Sequence, residues 1–229
     1  MRILLHPAFI LHHRPYRETS ALLDILTESH GRIALIAKGV RTRQSRLRAL
    51  IQPFTPLLLS WNGKGELMTM HSAEPNGAPL MLKGDCLLSG FYLNELLVKV
   101  LQKQDPSPRL YTIYYHTLIE LQGSNLRQSV LRLFEKKLLD ELGYGLQLTH
   151  ELRTGKAILE NCFYHYYPEQ GFERAEESSK LTFTGKCLKA LANEQLDDPQ
   201  ILLEIKRLMR LALASLLGYQ PLQSRRLFG

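Results

Sequence analysis

The chain has few of the residues that build disulfide frameworks or metal sites. Its 229 residues include three cysteines, Cys86, Cys162 and Cys187, which lie far apart and form no Cys-x-x-Cys pair. Their number is odd and their spacing matches no zinc template, so we predict neither a disulfide framework nor a bound metal. Unpaired cysteines are typical of a protein in a reducing compartment.

Patterns of catalysis and of membrane insertion are also missing. The sequence contains no Walker A loop and no Gly-x-Gly-x-x-Gly, Gly-x-Ser-x-Gly or His-Glu-x-x-His motif, so we expect neither an enzyme nor a cofactor. The apolar stretch from Ile201 to Leu217 is interrupted by charged side chains, which predicts an amphipathic helix and not a membrane span. A cytoplasmic protein without a membrane partner is expected.

The first third of the chain has the pattern of a small β-barrel. Short β-rich runs separated by turn residues predict five strands, and Asn62-Gly63 is a strong hairpin signal between the last two. A long connection after the third strand is typical of an OB-fold, a partly open barrel that often binds nucleic acid. The predicted strands are 8–13, 21–28, 33–38, 56–61 and 66–73.

Beyond the linker that contains Pro75, Gly77 and Pro79, the hydrophobic period changes from two to 3.6 residues,. We therefore predict an OB-fold β-barrel over residues 1–78 and an all-α helical domain over 79–229. Residues 144–180 show no sustained period and predict a small irregular subdomain. Helices are predicted over 87–100, 110–121 and 126–142, and from the Asp198 N-cap to Gly218.

Positive charge is concentrated near the two ends of a chain whose net charge is +7. Residues 1–75 carry ten basic and five acidic side chains, and residues 205–229 carry five basic and no acidic ones. A basic balance of this kind favours polyanionic partners.

The segment 38–48 contains five cations, and no carboxylate occurs between Glu28 and Glu66. Its field should therefore project into solvent, and the guanidinium fork of arginine suits phosphate oxygens. A merely solvated loop remains an alternative. The predicted nucleic-acid contacts of the barrel are Arg14, Arg17, Arg32, Lys38, Arg41, Arg43, Arg46 and Arg48.

Two further sets of residues remain open at this stage. Lys206, Arg210, Arg225 and Arg226 predict a second phosphate-binding element, with a solvated helix face and a frayed tail as the equal alternative. Phe54 and Trp61 could stack on bases, although such aromatic residues more often close a small core.

Short motifs along the whole chain, in a fixed order, resemble the bacterial recombination mediator family RecO. In the first half they include Glu18-Thr19-Ser20, Ala37-Lys38-Gly39 and Gln52-Pro53-Phe54-Thr55-Pro56-Leu57. In the second half they include Tyr92-Leu93-Asn94-Glu95-Leu96-Leu97, Leu142-Gly143-Tyr144 and Pro221-Leu222-Gln223-Ser224-Arg225-Arg226-Leu227-Phe228.

The resemblance implies a protein that binds single- and double-stranded DNA and anneals complementary strands without a chemical step. It further implies that RecR and the acidic tail of the single-stranded DNA-binding protein (SSB) are partners, that RecA is loaded as a result, and that the protein works at the nucleoid. Many members hold zinc through four cysteines in the irregular subdomain, where this chain has only Cys162. The positions expected to bind the SSB tail are Arg127, Leu131, Arg132 and Phe134.

Two alternatives remain at this stage. An RNA-binding OB-fold protein could use the same basic loop, because phosphate contacts do not distinguish RNA from DNA. A protein adaptor could instead bind acidic protein tails with its basic ends, and it would show no affinity for oligonucleotides.

Overall fold

The chain falls into two compact units, residues 1–126 together with 221–229, and residues 127–220. We call them the barrel unit and the inserted unit. The domain limits predicted from the sequence, 1–78 and 79–229, follow the change in periodicity and remain a prediction. The computed structural model describes residues 2–123, 128–176, 179–218 and 221–224.

Five strands of the barrel unit form a closed barrel in the order β1-β2-β3-β5-β4, which confirms the predicted OB-fold. All neighbours are antiparallel except β3 and β5, which are parallel. Strand β1 is longer than predicted, because irregularities at Ile3/His6 and Ile10/His12 bend it so that it pairs with both β4 and β2,. The strands are β1 Arg2–Tyr16, β2 Ser20–Thr27, β3 Gly31–Ala37, β4 Leu57–Asn62 and β5 Leu67–Pro75.

The interior of the barrel is filled by the alternate side chains of these strands, among them Ile10, Leu23 and Leu35, as the period of two requires. Trp61 is 2% exposed and Phe54 is 5% exposed. Both rings therefore belong to the core, and neither presents a face on which a base could stack.

Two helices complete the barrel unit, α2 (Gly84–Val100) and α3 (Pro108–Glu120), after a single turn of helix, α1 (Leu47–Leu50), between β3 and β4. Asn94 of α2 donates from Nδ2 to the carbonyl oxygen of Leu11 at 2.9 Å and accepts from the Tyr114 hydroxyl at 2.6 Å. These hydrogen bonds are buried, so they join β1, α2 and α3 through a fully satisfied polar contact.

The inserted unit combines three helices with a three-stranded antiparallel sheet in the order β7-β6-β8. The sheet and α5 lie in a stretch for which the sequence predicts no regular element, because strands this short show no sustained period. Their aromatic side chains, such as Tyr164 and Phe183, are fully buried. The elements are α4 Gln128–Glu141, β6 Phe163–Tyr167, β7 Gly171–Ala175, β8 Thr182–Thr184, α5 Gly185–Ala192 and α6 Pro199–Leu216.

Local capping chemistry sets the predicted ends of two helices in the inserted unit. The Asp198 side chain accepts hydrogen bonds from the backbone N–H groups of Gln200 and Ile201, so it is the N-cap of α6 as predicted,. Gly143 follows α4 with φ +81°, the left-handed conformation that glycine adopts without a steric penalty,.

Candidate nucleic-acid interface

The segment between β3 and α1 folds into successive turns that keep its cations in solvent. The N–H groups of Thr42, Ser45 and Arg48 each donate to the carbonyl oxygen three residues earlier, at 3.2 to 3.3 Å. This compact path leaves every basic side chain of the segment exposed. These side chains are Lys38, Arg41, Arg43, Arg46 and Arg48.

Arg41 ties this loop to the turn between β1 and β2. Its backbone N–H donates to the carbonyl oxygen of Thr19 at 2.9 Å, and its Nη1 donates to the carbonyl oxygen of Arg17 at 3.1 Å. Arg17 has a positive φ of 51° and places its guanidinium carbon 5.2 Å from the centre of the Tyr16 ring. Two predicted contacts, 24 residues apart in sequence, are thus brought together.

We call the exposed cations of this turn and loop the basic rim; they are Arg17, Lys38, Arg41, Arg43, Arg46 and Arg48. Within the described residues none of them takes part in an ion pair. Their charge is therefore available to an external anion, and planar guanidinium groups can bind phosphate through two parallel hydrogen bonds.

The outer face of the barrel next to the rim carries residues that the sequence analysis missed. Arg14 lies opposite Leu22, Leu22 opposite Ile36, and Ile36 opposite Thr69, which makes one row across four strands. Leu22 and Ile36 are half-buried, so the row offers apolar contact beside the cations. An OB-fold uses this face, that of strands 2 and 3, for oligonucleotides.

The sequence analysis also missed two residues at the loops, Tyr16 and Lys64. The only signal for Tyr16 in the sequence is its position before Arg17, and Lys64 lies in the exposed turn between β4 and β5. The corresponding turn of other OB-folds contributes to oligonucleotide binding. A cation in a Gly-Lys-Gly turn is the signal that could have identified Lys64.

Arg32 does not belong to the basic rim, although the sequence analysis predicts it as a nucleic-acid contact. Its side chain is 13% exposed, its Nη1 lies 2.8 Å from Oδ1 of Asp24, and its Nε donates to the carbonyl oxygen of Leu101 at 3.1 Å. These contacts hold β3 against β2 and the end of α2. The charge of Arg32 is therefore neutralised within the fold.

A second group of cations lies in the inserted unit, where α4 packs against α6. Arg132 is 5% exposed and its Nη2 lies 2.9 Å from Oε1 of the fully buried Glu135. Lys206 lies nearby: burial lowers its pKa, the charges of Arg210 and Arg132 lower it further, and Glu135 opposes them. The structure thus brings together Arg132, which was expected to bind the SSB tail, and Lys206 and Arg210, which were predicted to bind DNA.

Two other positions predicted for the tail, Leu131 and Phe134, are not on the surface. Leu131 is 3% exposed and Phe134 is 1% exposed, so both pack inside the unit and offer no apolar surface to a peptide. The pattern that suggested a binding face is the buried side of an amphipathic helix. Arg127, Arg225 and Arg226 lie outside the described residues.

Neither a metal cluster nor a membrane span is found in the described ranges. No three His, Cys, Asp or Glu side chains there are placed to hold a metal ion, and none of the described helices is long and apolar enough to cross a bilayer.

Both halves of the chain are similar to known proteins. Residues 1–78 match the family model described as recombination protein O N terminal, and residues 83–226 match recombination protein O C terminal. The chain is 46% identical over 230 residues to the DNA repair protein RecO of Coxiella burnetii, covering 99% of this chain and 98% of that protein.

Two other relatives carry the same name. The protein from Nitrosococcus oceani is 46% identical over 227 residues, covering 98% of this chain and 92% of its own length. The protein from Yersinia pestis is 45% identical over 222 residues, covering 96% of this chain and 92% of its own length. With both family models matched and this identity over nearly its whole length, the chain belongs to the RecO family of DNA repair proteins.

Proposed function

We propose that the protein binds single- and double-stranded DNA through the basic rim and anneals complementary strands. A role in DNA repair and recombination comes with the family. The observation that carries the finer proposal is the link between Arg17 and Arg41, which joins two exposed loops into one cationic surface without ion-pair partners among the described residues.

Annealing by such a surface needs no chemical step. Two strands repel each other through their phosphates, and a protein that neutralises phosphates on both releases condensed counterions. The half-buried Leu22 and Ile36 would meet sugars and bases while the rim holds the backbone. Neither a nucleotide cofactor nor a metal takes part in this mechanism.

In the cell we place this activity at the nucleoid, on single strands coated with SSB. There the protein would act with RecR to help RecA replace SSB. Recruitment would use the acidic tail of SSB, whose terminal carboxylate would meet Lys206 and Arg210 beside Arg132 in the inserted unit.

The DNA proposal is tested by the salt dependence of binding. Five loop cations contacting about five phosphates give a slope of log K against log salt of roughly −3.5 for single strands. Changing Arg41 and Arg43 to Ala should reduce the slope to about −2, measured by fluorescence anisotropy with a labelled oligonucleotide. The control is Lys156→Ala with Lys180→Ala, which removes the same charge from exposed positions of the inserted unit.

An unchanged slope in the Arg41 and Arg43 variant would remove the loop from the interface. Tighter binding to RNA than to DNA of the same length would favour the RNA-binding alternative, because that preference needs contacts to the 2′-hydroxyl. Binding of acidic peptides without any affinity for oligonucleotides would favour the adaptor.

The tail proposal is tested with a peptide that carries the acidic end of SSB. Lys206→Ala with Arg210→Ala should weaken peptide binding at least tenfold, because a charge-assisted contact contributes about 1.5 to 3 kcal/mol. The unit should remain folded, since Arg210 is exposed and Lys206 is only half-buried. Unchanged peptide affinity would place the tail elsewhere.

A further inference from the structure

A carboxylate, that of Asp24, lies on the outer face of the barrel beside the row that contains Leu22. Asp24 follows Leu22 by two residues in β2, and both side chains are half-buried on the outer face. In a second row across the strands, Asp24 lies between His12 of β1 and Ala34 of β3, and the row ends at Leu67 of β5. The two rows are about 7 Å apart along the strands.

Both rows lie next to the basic rim, because Lys38 follows Ile36 of the first row by two residues. Among the residues of the two rows, all within the described ranges, Asp24 is the one acidic side chain. An unpaired carboxylate at this place would repel the phosphates of a strand that the rim holds. The other members of the rows are His12, Arg14, Leu22, Ala34, Ile36, Leu67 and Thr69.

Arg32 supplies the charge that offsets Asp24. It precedes Ala34 by two residues in β3, and its Nη1 lies 2.8 Å from Oδ1 of Asp24. The side chains of Arg32 and Asp24 are 13% and 27% exposed, so salt screens this pair less than it screens a fully exposed one. His12 adds little, because its Nδ1 lies 4.0 Å from Oδ2 of Asp24 and the ring is charged only when protonated.

The guanidinium group of Arg32 is held in place by the end of α2. Its Nε donates to the carbonyl oxygen of Leu101, the C-cap of α2, at 3.1 Å. The last carbonyl groups of a helix carry partial negative charge, so the cation is attracted from this side as well as by Asp24. The N–H of Gln104 donates to the carbonyl oxygen of Arg32 at 2.8 Å and fixes its backbone. Arg32 is therefore poorly placed to contact phosphate itself.

We propose that Arg32 is a positioning residue for nucleic-acid binding: by pairing with Asp24 it keeps the outer face of the barrel free of net negative charge, so that a strand held by the basic rim can cross this face. The inference rests on the proposed function and deepens it, because it assigns the strand a route over β2 and β3 towards Leu67, which is 45% exposed. A cation thus supports DNA binding without contacting phosphate.

The test measures affinity for a labelled single-stranded oligonucleotide by fluorescence anisotropy at one salt concentration. Asp24→Asn removes the charge but keeps an oxygen that can accept from Arg32, so the variant should remain folded. It should bind about threefold more tightly, the effect of a unit charge about 7 Å from a phosphate in water. Arg32→Gln should weaken binding about threefold for the same reason, and the variant that carries both changes should bind like the wild type.

Glu74→Gln is the matched control, because it removes a carboxylate from an exposed position at the other end of β5. Combined with Arg32→Gln, it restores the same net charge as Asp24→Asn does, but it should not restore the affinity. This comparison separates a local effect on the outer face from a general effect of net charge. Circular dichroism reports whether each variant is folded, and Asp24→Asn tests the inference by itself if Arg32→Gln is not.

Unchanged affinity in the Asp24→Asn variant would overturn the inference. A loss in Arg32→Gln that Asp24→Asn does not restore, or that Glu74→Gln restores equally well, would also overturn it. If Asp24→Asn has no effect while substitution of Arg41 and Arg43 flattens the salt slope, the inference fails but the proposed function stands. If neither change affects binding, the proposed function itself fails.

Discussion

Arg132 and Glu135 show how burial changes the role of a charged residue. Read from the sequence, Arg132 is an exposed cation on a helix that could receive a carboxylate. In the folded protein it is 5% exposed and pairs with a carboxylate from its own helix that is fully buried. Taking two charges out of water is unfavourable, so removal of one partner costs more than the net contribution of the pair.

We expect Arg132→Ala to lower the free energy of unfolding by about 3 kcal/mol, because it takes the paired cation from a buried carboxylate. Urea unfolding followed by far-ultraviolet circular dichroism measures the change. Lys180→Ala, at an exposed position of the same unit, should change stability by less than about 0.5 kcal/mol. A loss of less than about 0.5 kcal/mol for Arg132→Ala would mean that water reaches the ion pair of Arg132 and Glu135.

We expect His6 to make the stability of the barrel depend on pH. Its Nε2 accepts the N–H of Ser29 at 3.1 Å, and its ring centre lies 4.6 Å from that of His30. Burial lowers the pKa of His6, the charge of His30 lowers it further, and Glu28 partly opposes them. The unfolded chain, with a pKa near 6.5, therefore binds this proton more readily than the folded one.

Because the pKa of His6 is lower in the folded state, the contribution of His6 to stability is fully present above about pH 6.5. It is lost as the pH falls through the lower pKa of the folded state. We expect the urea midpoint of the wild type to fall between about pH 7.5 and about pH 5, and His6→Gln to reduce that fall. Part of it should remain, because burial and His12 also lower the pKa of His13. His71→Gln, on the exposed surface of β5, should leave the fall of the urea midpoint unchanged. An equal fall in the His6→Gln and His71→Gln variants would contradict this role of His6.

At the scale of elements, the connection between α2 and α3 lies against the turn between β2 and β3. The N–H of Gln104 donates to the carbonyl oxygen of Arg32 at 2.8 Å, and its Nε2 donates to that of Gly65 at 2.8 Å. This approach is possible because residue 31 is glycine: a Cβ there would lie 2.1 Å from the carbonyl oxygen of Asp105.

A matched pair of glycines separates this close approach from backbone conformation. Gly31 and Gly39 have nearly the same φ, +64° and +66°, but a Cβ at Gly39 would meet no atom within 4 Å. Gly39→Ala should cost roughly 1 to 2 kcal/mol for the left-handed conformation, and Gly31→Ala about 1 to 3 kcal/mol more, because the chain at Asp105 must move. If urea unfolding shows equal losses of unfolding free energy for Gly31→Ala and Gly39→Ala, the connection between α2 and α3 can move away from residue 31 without a cost in stability.

At the scale of the whole molecule, the positive charge at the two ends of the sequence is divided between the two units. Residues 1–75 and 221–229 both belong to the barrel unit, although the inserted unit separates them in sequence. The excess charge of residues 1–75 thus lies in the barrel unit, whereas Lys206, Arg207 and Arg210 of α6 belong to the inserted unit. A protein organised in this way should bind polyanions in a strongly salt-dependent manner.

We expect the protein to accelerate annealing of complementary oligonucleotides without ATP, both bare and coated with SSB. A rise in salt from about 50 mM to about 200 mM should lower its affinity for a single strand about 100-fold when five phosphates are contacted, and annealing should slow in parallel. The protein-free annealing rate at each salt concentration is the control. Annealing that does not respond to salt would exclude phosphate neutralisation as the mechanism.

The sequence by itself determined the barrel, the long helices and the exposure of the basic loop. Alternating apolar residues specify strands, helix ends are marked by residues such as Asp198 and Gly143, and a basic segment without carboxylates has no neighbour in sequence to neutralise it. These signals are local, because each arises from the period of one element or from the chemistry of one turn. The short strands β6 to β8 show where such signals fail.

Only the tertiary structure decided what individual charges do. Arg32 bonds to Leu101, 69 residues away, and Glu95 to Ser224, 129 residues away, while Arg132 shares its surroundings with Lys206 from another helix. The period of a strand or helix indicates which face is buried, but it does not specify what that face meets. Whether a cation is neutralised or free for phosphate depends on partners that the folded chain brings from a distance.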